Sequence, residues 1–152
     1  MKIDITSCDI DINETNKDKA IIIPDSYWSD PNDSIYTSTA LSFYKELKSK
    51  TDVEFLSPPK NLIEQRSIEW FGPIIYLSMN IIQNHPDIID LILDTVETCA
   101  TKFTRKGESP SIKLKVICEE RDGAKKTQLS YEGDVAGLDK IKHSLDGLFN
   151  GK

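Results

Sequence analysis
The longest apolar-rich stretch of the chain, Trp70 to Arg105, spans about a quarter of its length and limits what the remainder can fold into. Trp70, Ile74, Leu77 and Ile81 recur at helical spacing, and Phe71, Ile75 and Met79 widen that face. After Pro86 a second run steps by three or four through Ile89, Ile92, Val96, Cys99 or Ala100, and Phe103. Between the runs lies Asn84-His85-Pro86-Asp87. The proline removes a helix donor and disfavours helical geometry at His85, so a break belongs there. The spacing therefore predicts two consecutive helices over 70–105, which the strands of the chain must cover.

The elements on either side can be read in order. Met1, Ile3 and Ile5 alternate with polar residues as a half-buried strand, and the charged stretch from Asp9 to Lys19 reads as a loop. Ala20-Ile21-Ile22-Ile23, stopped by Pro24, fits a central strand covered on both faces. Ser34 or Asn32 can cap a helix over 35–49, with Tyr36, Ala40, Phe43 or Tyr44, and Leu47 inside and lysines at its C-terminal end. Val53-Glu54-Phe55-Leu56 follows as a strand, so residues 20–56 form a βαβ unit with parallel pairing. Pro58 to Ser67 reads as an exposed link. Ile112, Leu114 and Val116 alternate with Lys113 and Lys115, and Leu129 and Tyr131 mark a partner strand beyond an Asp122-Gly123 hairpin turn. Asp134 caps a last helix with Leu138, Ile141, Leu145 and Leu148 inside. The expectation is a single α/β domain over 1–152 with about five strands in a mixed sheet and about four helices. Residues 1–33 supply acidic N-terminal strands and a loop, and 34–150 supply the main body.

Charge bears on partners. The net charge is −6, and residues 1–33, with eight acids and three lysines, hold most of it. No basic stripe appears, which argues against a nucleic-acid partner. The segment 74–93 has a membrane-spanning length, but Asp87 and Asp90 alone would each cost about 2.5–3.5 kcal/mol near a bilayer centre, so no membrane partner is expected. The N-terminus lacks a basic-then-apolar leader, and the expected location is the cytoplasm.

Motifs for chemistry are sparse. Cys8, Cys99 and Cys118 are widely spaced and form no CxxC, so reduced thiols are expected rather than a zinc site or disulfides. Asp9, Asp11 and Asn13 imitate the start of a calcium loop, but Glu14 stands where glycine is needed and Ala20 where a bidentate acid is needed. His85 and His143 are the two histidines, and neither adjoins a nucleophile motif. No phosphate-cradling glycine loop occurs. No catalytic residue, cofactor or metal is expected. Two surfaces remain as candidates for interaction. Tyr27 and Trp28, in a loop with Asp25, Asp30 and Asp33, read equally as interface anchors or as plugs into the core. Asp87, Asp90, Asp94 and Glu97 form an acidic stripe opposite Ile89, Ile92 and Val96, which reads as a solvated face or as a docking face for a basic partner.

The order of elements from Ser34 onward resembles a family of small domains in bacterial conflict systems, the effector-associated constant component proteins. The matching pieces are 35–49, Val53-Glu54-Phe55-Leu56, Trp70 to Arg105, Ile112 to Tyr131 around Asp122-Gly123, and Asp134 to Phe149. The acidic N-terminal segment lies outside the match. The resemblance implies a non-catalytic companion of an effector protein and carries over no functional residue. The expected function is a protein–protein interaction module, an accessory or adaptor of a bacterial defence or conflict system, with the Tyr27/Trp28 loop, the acidic helix face and the hairpin edge as contacts. The alternatives are an acidic immunity protein that neutralises a nuclease-like toxin, and a small enzyme using His85 or His143.

Overall fold
β-Branched and aromatic runs form eight strands and amphipathic runs form four helices among the residues that the computed structural model describes: 2–8, 10, 19–29, 34–63, 69–104, 107, 110–119 and 126–149. In chain order they are β1 (Lys2–Ser7), β2 (Ala20–Ile23), β3 (Ile35–Thr37), α1 (Ser38–Lys48), β4 (Val53–Phe55), β5 (Asn61–Ile63) and β6 (Glu69–Leu77). Then follow α2 (Met79–Asn84), α3 (Ile88–Phe103), β7 (Ser111–Glu119), β8 (Lys126–Gly133) and α4 (Leu138–Phe149). Six strands make one mixed sheet in the order β1-β8-β7-β6-β2-β4, and β3 pairs with β5 in a small parallel ladder.

The first half of the long apolar stretch is a strand and not a helix. Gly72 and Pro73 would sit inside that helix, at a combined cost of about 4 kcal/mol. In β6 they instead form an irregularity: Phe71 is level with Lys113 and Ile74 with Lys115, so two residues face the single Leu114. From Ile74 to Leu77 β6 is buried throughout, with parallel β7 on one side and antiparallel β2 on the other. A strand covered on both faces is apolar at every position, and such a run matches helical spacing by coincidence.

Ser78 ends β6 and caps α2, its Oγ accepting from Ile81 N at 3.3 Å. The chain breaks at His85-Pro86, as the proline requires, and α3 then lays Ile88, Ile89, Ile92, Val96, Cys99 and Ala100 into the core. This helix pair is the crossover between parallel β6 and β7, a second βαβ unit beside the expected one, in which β2 and β4 pair in parallel around α1. The first helix starts later than its pattern suggests. Ile35, Tyr36 and Thr37 form β3, and Thr37 is the cap, Oγ1 accepting from Ala40 N at 3.3 Å. Ser34 instead shares a 2.6 Å hydrogen bond with Ser57, and Asn32 lies outside the described residues. The link at 58–67 holds the short strand β5. β7 and β8 form the expected hairpin, whose Asp122-Gly123 turn lies outside the described residues.

The two faces of the sheet are unlike. On one, α1, α3 and α4 pack Phe43, Leu47, Ile92, Val96, Ile141 and Leu145 against Ile22, Ile75, Leu114, Val116 and Leu129. On the other, a smaller cluster of Ile10, Ile21, Ile23, Ile74, Tyr76 and Ile117 is flanked by Cys8, Tyr27 and Leu56, which belong to irregular segments or to strand ends. A β-carbon at Gly72 would lie 2.7 Å from the Trp70 ring and 3.1 Å from Leu114 Cδ1. Trp70 is buried, so its ring or the strand would have to shift. Gly72→Ala is therefore expected to destabilise the fold by about 1–3 kcal/mol in chemical denaturation, and an unchanged midpoint would contradict this packing.

Candidate functional site
Strand alternation places Lys113 and Lys115 on the side of β7 away from the helices, since Ile112, Leu114 and Val116 fill the helix-side core. Neighbouring strands add Ser130 and Glu132 from β8, Lys2 and Asp4 from β1, and Phe71 and Ile74 from β6. Asp25 and Thr37 close one end. The result is a groove of about 310 Å³ on the helix-free face, lined by these side chains and by Gly72.

Most charges in the groove are paired. Lys113 Nζ lies 3.5 Å from Glu69 and 3.7 Å from Glu132, and 5.1 Å from the centre of the Phe71 ring. Lys2 lies 3.6 Å from Asp4. Partly exposed pairs of this kind contribute below about 1 kcal/mol each, so they do not account for the fold. Asp25 Oδ2 accepts from Thr37 N at 3.1 Å, and Asp25 N donates to Ile35 O at 2.8 Å. Packing around the carboxyl pushes Asp25 above the ordinary carboxylate range, against the Thr37 amide and the Lys115 ammonium, which both favour the charged form. The residue as a whole remains exposed, so the push is modest. Lys115 is exposed and makes no ion pair among the described residues.

Of the residues singled out from the sequence, Tyr27 and Trp28 divide between the two readings of their loop. Tyr27 is half-buried against the smaller isoleucine cluster, whereas Trp28 is 47% exposed, its ring edge-on to Tyr27 at 5.0 Å. Asp30 lies outside the described residues. Asp87, Asp90, Asp94 and Glu97 are all exposed on α3, and Asp90 forms a 2.8 Å ion pair with Lys142 of α4. The hairpin has no free edge of its own, because β8 is paired along its length with β1, which forms the sheet's border and exposes Ile5 at 48%. His85 and His143 are exposed, on α2's C-terminal cap and on α4. The groove escaped sequence reasoning because alternating lysines on a strand read as a solvated face. Its one local signal is Gly72-Pro73 inside an apolar run.

At the other end of the same sheet face sits a polar pair. Glu119 is buried and its Oε1 accepts from Met79 N at 2.8 Å, tying β7 to the start of α2. The neighbouring Tyr76 hydroxyl is buried without an aligned hydrogen bond among the described residues. Burial first, and the Glu119 carboxylate second, hold the phenol neutral. Comparison with known protein families, with characterised proteins and with solved structures finds no match to this chain.

Two outcomes follow from these burials. Tyr76→Phe removes a buried hydroxyl that has no aligned hydrogen bond among the described residues, with Glu119 as its neighbour, and is expected to leave stability unchanged or raise it by up to about 1 kcal/mol in urea unfolding; a clear loss would mean that the hydroxyl is bonded to Glu119. The thiols should also separate. Burial, helped by Glu46, pushes Cys99 up to about 11, and burial alone lifts Cys118 further, while Cys8 is half-buried. A thiol shifted from 9.0 to about 11 carries about a hundredfold less thiolate at neutral pH. A disulfide reagent should modify Cys8 first, with Cys99 and Cys118 following only on unfolding; equal rates at Cys8 and Cys99 would contradict the packing.

Proposed function
We propose that the chain is a non-catalytic protein–protein interaction module that uses Trp28 as its anchor and the acidic face of α3 as a second contact. The observation that carries this reading is a half-exposed tryptophan on a hydrogen-bonded turn over 24–29. Tyr27 N donates to Pro24 O at 3.0 Å, Ser29 N to Ser26 O at 3.1 Å, and Ile35 N to Ser26 Oγ at 3.2 Å. A rigid aromatic presented this way loses little conformational freedom on docking, and tryptophan is a frequent source of interface energy. The setting, an accessory or adaptor in a bacterial defence or conflict system, rests on the order of elements in 34–149. A second reading, an acidic immunity protein that blocks a nuclease-like toxin, draws on the exposed carboxylates of Asp87, Asp94 and Glu97.

Truncation at the two aromatics separates anchoring from packing. Trp28→Ala is expected to weaken capture of the partner from expressing cells by about tenfold or more while shifting Tm little. Tyr27→Ala should lower Tm, since its ring packs on the isoleucine cluster. Retained capture by Trp28→Ala, measured by quantitative pull-down, would sink the reading. If the partner is a basic toxin, Asp94→Lys with Glu97→Lys should slow association and reduce its dependence on salt.

A further inference from the structure
We propose that the groove on the helix-free face of the sheet is a binding site for a small zwitterion of the free amino-acid class, with the ligand's carboxylate on Lys115 and its ammonium on Asp25. The charges that line the groove balance: Lys2, Lys113 and Lys115 against Asp4, Asp25 and Glu132. A surface without net charge does not select a polyphosphate or a nucleic acid, but it suits a ligand that carries both signs. Internal pairing then removes four of the six. Lys113 is held by Glu69 and Glu132, and Lys2 by Asp4. Lys115 and Asp25 remain. They attract one another, yet no ion pair within 4 Å joins them among the described residues. An α-amino acid, with its two charged groups separated by one carbon, would satisfy both across that gap.

The apolar part of such a ligand has a surface to meet. Phe71 and Ile74 line the groove beside the two charged residues, with the glycine backbone of position 72 between them. A volume of about 310 Å³ is at the small end of ligand sites, large enough for one amino acid and too small for a long peptide. Because Asp25 is raised above the ordinary carboxylate range, it takes up a proton before a solvated carboxyl does as pH falls. An ammonium ligand favours the ionised form, so affinity should fall as pH drops through the Asp25 titration and be restored above it.

The test is an NMR titration of the full chain with L-leucine and L-phenylalanine, alongside N-acetyl-L-leucine, which lacks the ammonium, and L-leucinamide, which lacks the carboxylate. The expected result is a saturable shift of the Gly72, Lys115 and Ser130 amides with the free amino acids, and binding of both analogues weaker by about tenfold or more. Asp25→Asn, which keeps an acceptor for Thr37 N, should weaken L-leucine and leave N-acetyl-L-leucine unchanged. Lys115→Met should weaken L-leucine and leave L-leucinamide unchanged. Both substitutions are at exposed positions, and an unchanged Tm confirms that the variants fold. Non-saturable shifts with every compound, or equal binding of the singly charged analogues, would overturn the proposal. Such a failure would leave docking through Trp28 untouched, because Trp28 does not line the groove.

Discussion
Burial of β6 on both faces is the constraint on which the rest of the structure depends. Its side chains alternate between the two hydrophobic clusters, Ile75 and Leu77 toward the helices and Ile74 and Tyr76 away from them. Removing a side chain of this size from water contributes about 1.5–3 kcal/mol. Neither face can be left bare without forfeiting several such contributions. The helices answer the demand on one side. On the other, among the described residues, Ile10 and Tyr27 cover the stretch near Ile74, Tyr76 and Ile117.

Among the described residues that second cover is partial, and the groove lies beyond it. Toward the start of β7 the alternation changes from isoleucine to lysine, and the face becomes a mixed-charge surface. The Gly72-Pro73 irregularity lies on the same stretch, where close packing of Trp70 and Leu114 excludes even a methyl group at position 72. One local departure from regular pairing thus keeps the tryptophan in the core and leaves open backbone beside Lys113 and Lys115. The Tyr27/Trp28 loop has a similar double character. Tyr27 serves the core, and the same turn exposes Trp28.

Much of the architecture was legible in the residues, and the failures have physical causes. Ala20–Ile23 reads as a central strand because four apolar β-branched or small residues end at a proline, and it is buried throughout. The break at Asn84-His85-Pro86 was legible because proline acts locally, and so was the β2-α1-β4 unit, whose elements lie close in sequence. The helical pattern over 70–81 fails because a fully apolar run fits any period, and Gly72 and Pro73 are the local signal against it. β1 was recognised as a strand, but its pairing with β8 joins residues more than a hundred positions apart, which no local pattern encodes. That pairing also removed the hairpin edge as a contact surface. The groove assembles residues from β1, β6, β7, β8 and the segment after β2, so it became visible only once the strand order was known.

The most direct test of this account is residue-resolved NMR of 69–77, reading amide exchange together with through-space contacts. The account predicts that the Ile75 and Tyr76 amides exchange only through global unfolding. Ile75 should show cross-strand contacts to Val116 and Ile22, and Tyr76 to Ile117 and Ile21. Contacts between residues three and four apart along 70–77, with exchange well ahead of global unfolding, would mean a helix in place of the central strand and would contradict the sheet, the groove and the loop arrangement together.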